Sequence, residues 1–196
     1  MSSSSPLLTH PLAFIGGGNM ARSLIGGLIK RGADPSRIRV AEPNEPLRAA
    51  LAADFGVQVF TEAGEAAYGA DTWLFAVKPQ VMRTVCESLA PMAQAQRPLV
   101  VSIAAGITVV QMQRWLGGGV PVVRSMPNTP ALLGAGVTGL HASDEVDAAG
   151  RERAELLLSA AGPTVWIDAE AKMDAVTGVS GSGPAYVFLL AEAMVD

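Results

Sequence analysis

Short apolar runs alternate with helical patterns along most of this chain. Runs rich in Val, Ile, Leu and Phe predict strands at 12–15, 38–41, 57–59, 72–77, 99–103, 120–124, 137–141 and 164–167. Between them, apolar residues at helical spacing predict helices near 19–31, 45–54, 63–68, 80–90, 108–116 and 146–160. Such βαβα alternation predicts a parallel sheet with helices on both faces. Val100-Val101-Ser102-Ile103 reads as a strand buried on both sides. Pro79, just after a strand, suits the first position of a helix, where its missing N–H costs nothing.

The last stretch departs from this rhythm. Gly178 to Gly183 holds three glycines and two serines, and Pro184-Ala185-Tyr186 then opens an apolar helix reaching Asp196. That helix is apolar on nearly every side, and such a helix is expected to be buried against partners. The pattern therefore divides the chain into a tail at 1–11, expected to be disordered, an α/β domain at 12–168, and the beginning of a second, truncated domain at 169–196.

Composition narrows the class. With 196 residues, 49% hydrophobic and 16% charged, the chain can bury a large core. A net charge of −4 makes nucleic acid and anionic membranes unexpected partners. Cys86 is the single cysteine, which excludes an internal disulfide framework and fits a cytoplasmic, reducing location. No apolar run reaches the ~20 residues of a membrane span, and the Ser-rich start lacks the pattern of a signal peptide. His10 and His141 are isolated, so no metal set is expected. Cys86 falls in a helical pattern without a nearby histidine and reads as packing.

The chemistry concentrates where Leu12–Ile15 runs into Gly16-Gly17-Gly18-Asn19-Met20-Ala21. A G-x-G-x-x-A turn between a strand and a helix is the dinucleotide-binding fingerprint. Gly16 permits the tight turn, Gly18 lets backbone approach a pyrophosphate, and Ala21 lets the helix lie against the sheet. The helix start at Asn19 and Met20 aims bare N–H groups and the positive end of its dipole at phosphates. In a doubly wound sheet the ligand lies outside the carboxyl ends of the strands, so the following loops also matter.

Glu42, after the second strand, is either the acceptor for the adenosine ribose hydroxyls, favouring NAD over NADP, or an exposed loop glutamate. Arg48, on the following helix, is available to a phosphate. Ala76-Val77-Lys78-Pro79 pass over the first strand's end, with Lys78 either a nucleotide contact or a solvated lysine. Ala104 and Ala105, after the fifth strand, either leave room for a flat ring or serve close packing. Asn128, between Pro127 and Pro130, offers a carboxamide one donor and one acceptor, or closes an ordinary turn. Nothing marks Ser180 or Ser182 as a nucleophile, and a nicotinamide enzyme needs none.

Taken in order, FIGGGNMA, AVKPQ, VVSIAAG, MPNTPAL and DAVTGVSGSGPAYVF resemble pyrroline-5-carboxylate reductase over residues 12 to 196. The resemblance implies a Rossmann domain binding NADP (as NADPH) or NAD (as NADH), followed by an all-α dimerisation domain that interlocks two subunits in a homo-oligomer. It implies reduction of the small-molecule substrate 1-pyrroline-5-carboxylate to L-proline, in proline biosynthesis. By resemblance Gly16 to Met20 hold the pyrophosphate, Ala76 to Pro79 line the nucleotide, Ala104 and Ala105 face the nicotinamide, and Glu170 belongs to the substrate region.

Two substitutions set this chain apart. Glu42 stands where NADPH-preferring relatives often have Ser or Thr, and Ala63 stands where many have a nucleotide-contacting Asn. The family's Gly/Thr-rich substrate loop and most of its dimerisation helices lie beyond Asp196, so the isolated chain is expected to be inactive. The alternatives are a related two-domain reductase of imines or 3-hydroxy acids, whose relatives usually carry G-x-M-G, and a non-catalytic NAD(P)-binding module.

Overall fold

The computed structural model of this chain describes residues 10–195. Its centre is a sheet of eight strands: β1 (Leu12–Ile15), β2 (Ile38–Ala41), β3 (Gln58–Phe60), β4 (Thr72–Phe75), β5 (Leu99–Ser102), β6 (Val122–Met126), β7 (Thr138–Ala142) and β8 (Thr164–Trp166). They are ordered β3-β2-β1-β4-β5-β6-β7-β8. The first six form the doubly wound Rossmann arrangement, in which the strand order reverses between β1 and β4 and opens a crevice for a ligand. Helices α1 (Asn19–Lys30), α2 (Glu45–Phe55), α3 (Ala63–Ala67), α4 (Pro79–Gln96), α5 (Val109–Trp115) and α6 (Ala148–Leu158) connect or flank them.

Strand periodicity splits the core in two. Leu12 and Phe14 on β1 point into a cluster with Leu24, Ile25 and Leu28 of α1 and Leu157 of α6. Ala13 and Ile15 point the other way, to a cluster with Trp73, Phe75, Met82 and Cys86. Both faces of the strand are therefore apolar, which is why it reads as an unbroken run. Gly27 lets α1 lie against the carbonyl of Ala160, which a Cβ there would strike.

The structure corrects the sequence-based picture in three places. The sheet is not wholly parallel, because β7 runs antiparallel to β6. A parallel return needs a crossover of a dozen or more residues, usually a helix. The β6–β7 connection has only a 3₁₀ stretch at Thr129–Leu133, so the chain turns back at the same edge. Second, α4 does not stop at residue 90 but continues through Pro91 to Gln96. Met82, Cys86, Leu89 and Ala93 keep one buried stripe across the proline, and that packing offsets the ~3 kcal/mol such a residue costs a helix.

Third, the stretch from Gly178 to Gly183 is helical. A 3₁₀ turn at Glu170–Lys172 leads into α7 (Met173–Val176), a π-helical turn at Thr177–Gly181 and α8 (Gly183–Val195). Helix α8 has no buried residue. The burial expected for so apolar a helix is not provided by any described residue, and Phe188 and Leu189 are each 66% exposed. Of the tail expected at 1–11, residues 1–9 lie outside the described residues, whereas Pro11 and His10 already contact Asp71. No helix among the described residues is long and apolar enough to cross a membrane.

Candidate functional site

The three glycines after β1 do different work. Gly16 has φ +103°, and a Cβ there would lie 2.7 Å from the Ala76 carbonyl oxygen. Its N–H donates to the Ala41 carbonyl at 2.9 Å. A Cβ at Gly17 would lie 2.5 Å from Leu51 Cδ1. These two positions are glycine for reasons internal to the fold. Gly18 is different: its φ of −68° and ψ of −175° suit any residue, and a Cβ would meet nothing within 4 Å. Neither strain nor a neighbouring atom requires glycine there, and the space is left open to a ligand. Gly18 is also the N-cap of α1 without any side-chain cap, so the first N–H groups of a 12-residue helix face that open space. Ala21 is fully buried beneath. A cradle that a side chain would fill, at a bare helix start, fits a dinucleotide's pyrophosphate.

Glu42 lies against this loop and is only 9% exposed. One carboxylate oxygen accepts the Gly17 N–H at 2.9 Å and the other accepts the Asn44 N–H at 2.9 Å. The residue is thus no free loop glutamate, since it ties the end of β2 to the glycine turn. Each oxygen keeps lone-pair capacity for a ribose hydroxyl. Arg48 donates to the carbonyls of Glu42 at 2.8 Å and Pro43 at 3.1 Å, so its guanidinium stays at this corner. Asn44 caps α2 by accepting from the Leu47 N–H.

On the other side of the turn, the Ala76 N–H donates to the Ile15 carbonyl at 2.8 Å. This bond holds Ala76 and Val77 beside Gly16, and Lys78 is exposed at the N-cap of α4. Pro79 occupies the first helical position, as its place after a strand predicts. Ala104 is buried and Ala105 exposed in the loop after β5. Residues 16–20, Glu42 and 76–79 therefore form one continuous rim, with Ala104 and Ala105 on the adjoining strand end.

Two predicted contacts are engaged elsewhere. Asn128 accepts the Val137 N–H on Oδ1 at 2.9 Å and donates from Nδ2 to the Ser180 hydroxyl at 3.3 Å. Its amide is a brace within the protein that uses one lone pair of Oδ1 and one N–H of Nδ2, leaving one of each uncommitted. Glu170 Oε1 accepts the Val109 N–H at 2.8 Å and pairs with Arg124 at 3.2 Å. Through Oε1 it anchors the helical segment to the start of α5 and to β6, while Oε2 has no partner among the described residues. Arg124, on β6 with its side chain 6% exposed, also pairs with Asp174 at 3.2 Å. Sequence reasoning overlooked Arg124, although a lone arginine inside the apolar run VPVVRSM was the available signal. His141 donates its Nδ1–H to the Ile167 carbonyl at 3.0 Å, away from the rim. Burial pushes the Cys86 thiol up to about 12, so it stays protonated and serves as packing. Among the described residues no group of His, Cys, Asp and Glu could hold a metal ion.

Residues 11–106 match the family model described as NADP oxidoreductase, coenzyme F420-dependent. Residues 170–196 match the model for pyrroline-5-carboxylate reductase dimerisation. Pyrroline-5-carboxylate reductase of Pseudomonas aeruginosa is 52% identical over 188 residues, an alignment covering 96% of this chain and 68% of that protein. The solved structure of a pyrroline-5-carboxylate reductase from Coxiella burnetii superposes with a TM-score of 0.91 at 39% identity, covering 95% of this chain and 69% of that one. The Plasmodium falciparum pyrroline carboxylate reductase, solved with NADP bound, gives a TM-score of 0.84 at 25% identity and covers 96% and 68%.

Proposed function

Because this chain belongs to the pyrroline-5-carboxylate reductase family, we propose that it binds NADPH or NADH and serves the reduction of 1-pyrroline-5-carboxylate to L-proline. The observation that carries the cofactor half is Gly18, a glycine that neither backbone angle nor neighbouring atoms require. When bound, the cofactor supplies a hydride to the electrophilic carbon of the protonated imine.

The chain's own part is to bind and orient. The N–H groups of Gly18, Asn19 and Met20 hold the pyrophosphate, and Glu42 receives the adenosine ribose. Ala76 to Pro79 line the nucleotide, and Ala104 and Ala105 leave the ring side free of bulk, so that the reacting carbons can come within attack distance. Residues 12–168 form the cofactor-binding unit, and 169–196 begin the helical unit that carries homo-oligomer formation. A single buried free cysteine supports the cytoplasm as its location.

Calorimetric titration with NADH and NADPH tests the cofactor half of this reading. Binding of neither nucleotide contradicts it. Replacing Glu42 with Ser removes a charge beside the ribose and also the acceptor that steadies Gly17. NADH affinity is expected to fall, and the NADPH-to-NADH preference to shift toward NADPH by about 2 kcal/mol, the size of two unit charges roughly 8 Å apart at an effective dielectric near 20. An unchanged preference in a two-cofactor titration would place Glu42 away from the 2′ position.

Helix α8 supports the oligomer half. Tyr186, Phe188 and Leu190 are 62%, 66% and 63% exposed on one helix, a contiguous apolar surface that drives association. Light scattering of the 196-residue chain should give a mass above 20.2 kDa, and Phe188→Glu with Leu190→Glu should return it toward the monomer. A monomeric wild type at micromolar concentration would remove α8 from the interface.

A further inference from the structure

The π-helical turn Thr177–Gly181 lies over the end of β6, since a Cβ on Gly181 would stand 2.8 Å from Met126 Cε. Strand β6 lies two places beyond β4, on the side of the sheet away from β2 and Glu42. A dinucleotide with its adenosine at β2 and its pyrophosphate at Gly18 extends across the switch point toward this side. Turns of the π type inside helices often occur at functional sites. This one presents a hydroxyl whose direction can be worked out.

The Val137 N–H can only donate, so the Asn128 atom facing it is the carbonyl oxygen Oδ1. The amide nitrogen Nδ2 then faces Ser180 Oγ and must be the donor. Ser180 accepts, and its own proton is not spent on Asn128. No described residue accepts that proton, and Ser180 is half-buried. The result is a fixed neutral donor with its proton to give.

We propose that Ser180 donates this hydrogen bond to the carboxamide oxygen of the nicotinamide, with Asn128 the positioning residue that keeps the hydroxyl turned that way. The assignment rests on the cofactor reading above. A neutral acceptor matches the surroundings: the nearest cation on β6, Arg124, is 6% exposed and committed to Glu170 and Asp174, leaving no partner for an anionic group. The carboxamide contact expected of Asn128 thus passes one residue outward, to the serine it holds.

Two substitutions separate this role from simple bracing. Ser180→Ala deletes the donor. Asn128→Asp still accepts the Val137 N–H but offers Ser180 a second acceptor, so the hydroxyl turns its proton inward while the brace survives. Calorimetry with NADH and with ADP-ribose, which lacks the nicotinamide, reads the difference. Each variant should bind NADH about 5- to 10-fold more weakly, the worth of one buried hydrogen bond. The double variant should lose no more, and ADP-ribose affinity should not change. Unchanged NADH binding in Asn128→Asp, or equal losses for both ligands, would overturn the role of Ser180 while leaving the cofactor reading standing. A wild type that binds neither ligand would overturn the cofactor reading and this assignment with it.

Discussion

Gly18→Val is expected to lower NAD(P)H affinity by about 100-fold or more while leaving the melting temperature nearly unchanged. The backbone at Gly18 suits valine, and a Cβ there has open space around it, so the substitution has no named mechanism for large destabilisation. The same space is where a pyrophosphate would meet the start of α1. Displacing it loses several charge-assisted hydrogen bonds of about 1.5–3 kcal/mol each, and 1.4 kcal/mol is a factor of ten. Gly16→Ala should behave in the opposite way. With φ at +103° and a carbonyl oxygen 2.7 Å from the added carbon, it strains the fold itself. Paired thermal melts and titrations separate the two. A valine variant that binds as the wild type does would detach Gly18 from the cofactor.

Arg124→Met is expected to have the largest effect on stability, about 2–3 kcal/mol. The guanidinium is buried on β6 and holds Glu170, whose side chain is 23% exposed, and Asp174, which is 84% exposed. Removing one member of a buried pair leaves the other charged and undercompensated, which costs about 3–5 kcal/mol when both are fully buried. Partial exposure of Glu170 reduces that figure, and the Val109 N–H still satisfies one oxygen. In a chain of this size the loss lowers the melting temperature by roughly 5–10 °C. Amide exchange should quicken first across residues 170–182, because Arg124 and Asn128 are the polar ties between that segment and β6 and its loop. Glu170→Gln keeps the acceptor for Val109 and should cost less. Identical melting of Arg124→Met and wild type would mean that the segment is held by packing alone.

Much of this arrangement was legible along the chain, for definite reasons. Strand β1 and the glycine turn stood out because a doubly buried strand leaves an unbroken apolar run and a tight turn leaves glycines. Pro79 marked a helix start because only that position spares its missing N–H. The antiparallel β7 was not visible, since direction depends on the length and shape of the β6–β7 connection and not on the strand's own residues. The passage of α4 through Pro91 was hidden for a similar reason: a local breaking signal yields to a stripe of buried contacts that only the folded sheet supplies.

Within the proposed site, the positions that rest on backbone geometry are more legible in the chain than those that rest on side-chain contacts. The glycine turn is specified by local sterics. Position after a strand puts Glu42 and Asn128 near a ligand, and resemblance puts Glu170 there, but their hydrogen bonds run to Gly17, Val137 and Val109, partners 25, 9 and 61 residues away. Such distances cannot be read from spacing. Ser180 was passed over because it lacks a base and so is no nucleophile; its value as a donor appears only once Asn128 is seen to donate to it.

A crystal structure of this chain with NADPH bound tests the central claim most directly. The pyrophosphate oxygens should lie within hydrogen-bond distance of the N–H groups at Gly18, Asn19 and Met20, with nothing but backbone between Gly18 and the phosphates. A nucleotide bound at any other place, or a pyrophosphate out of reach of those three N–H groups, would contradict it.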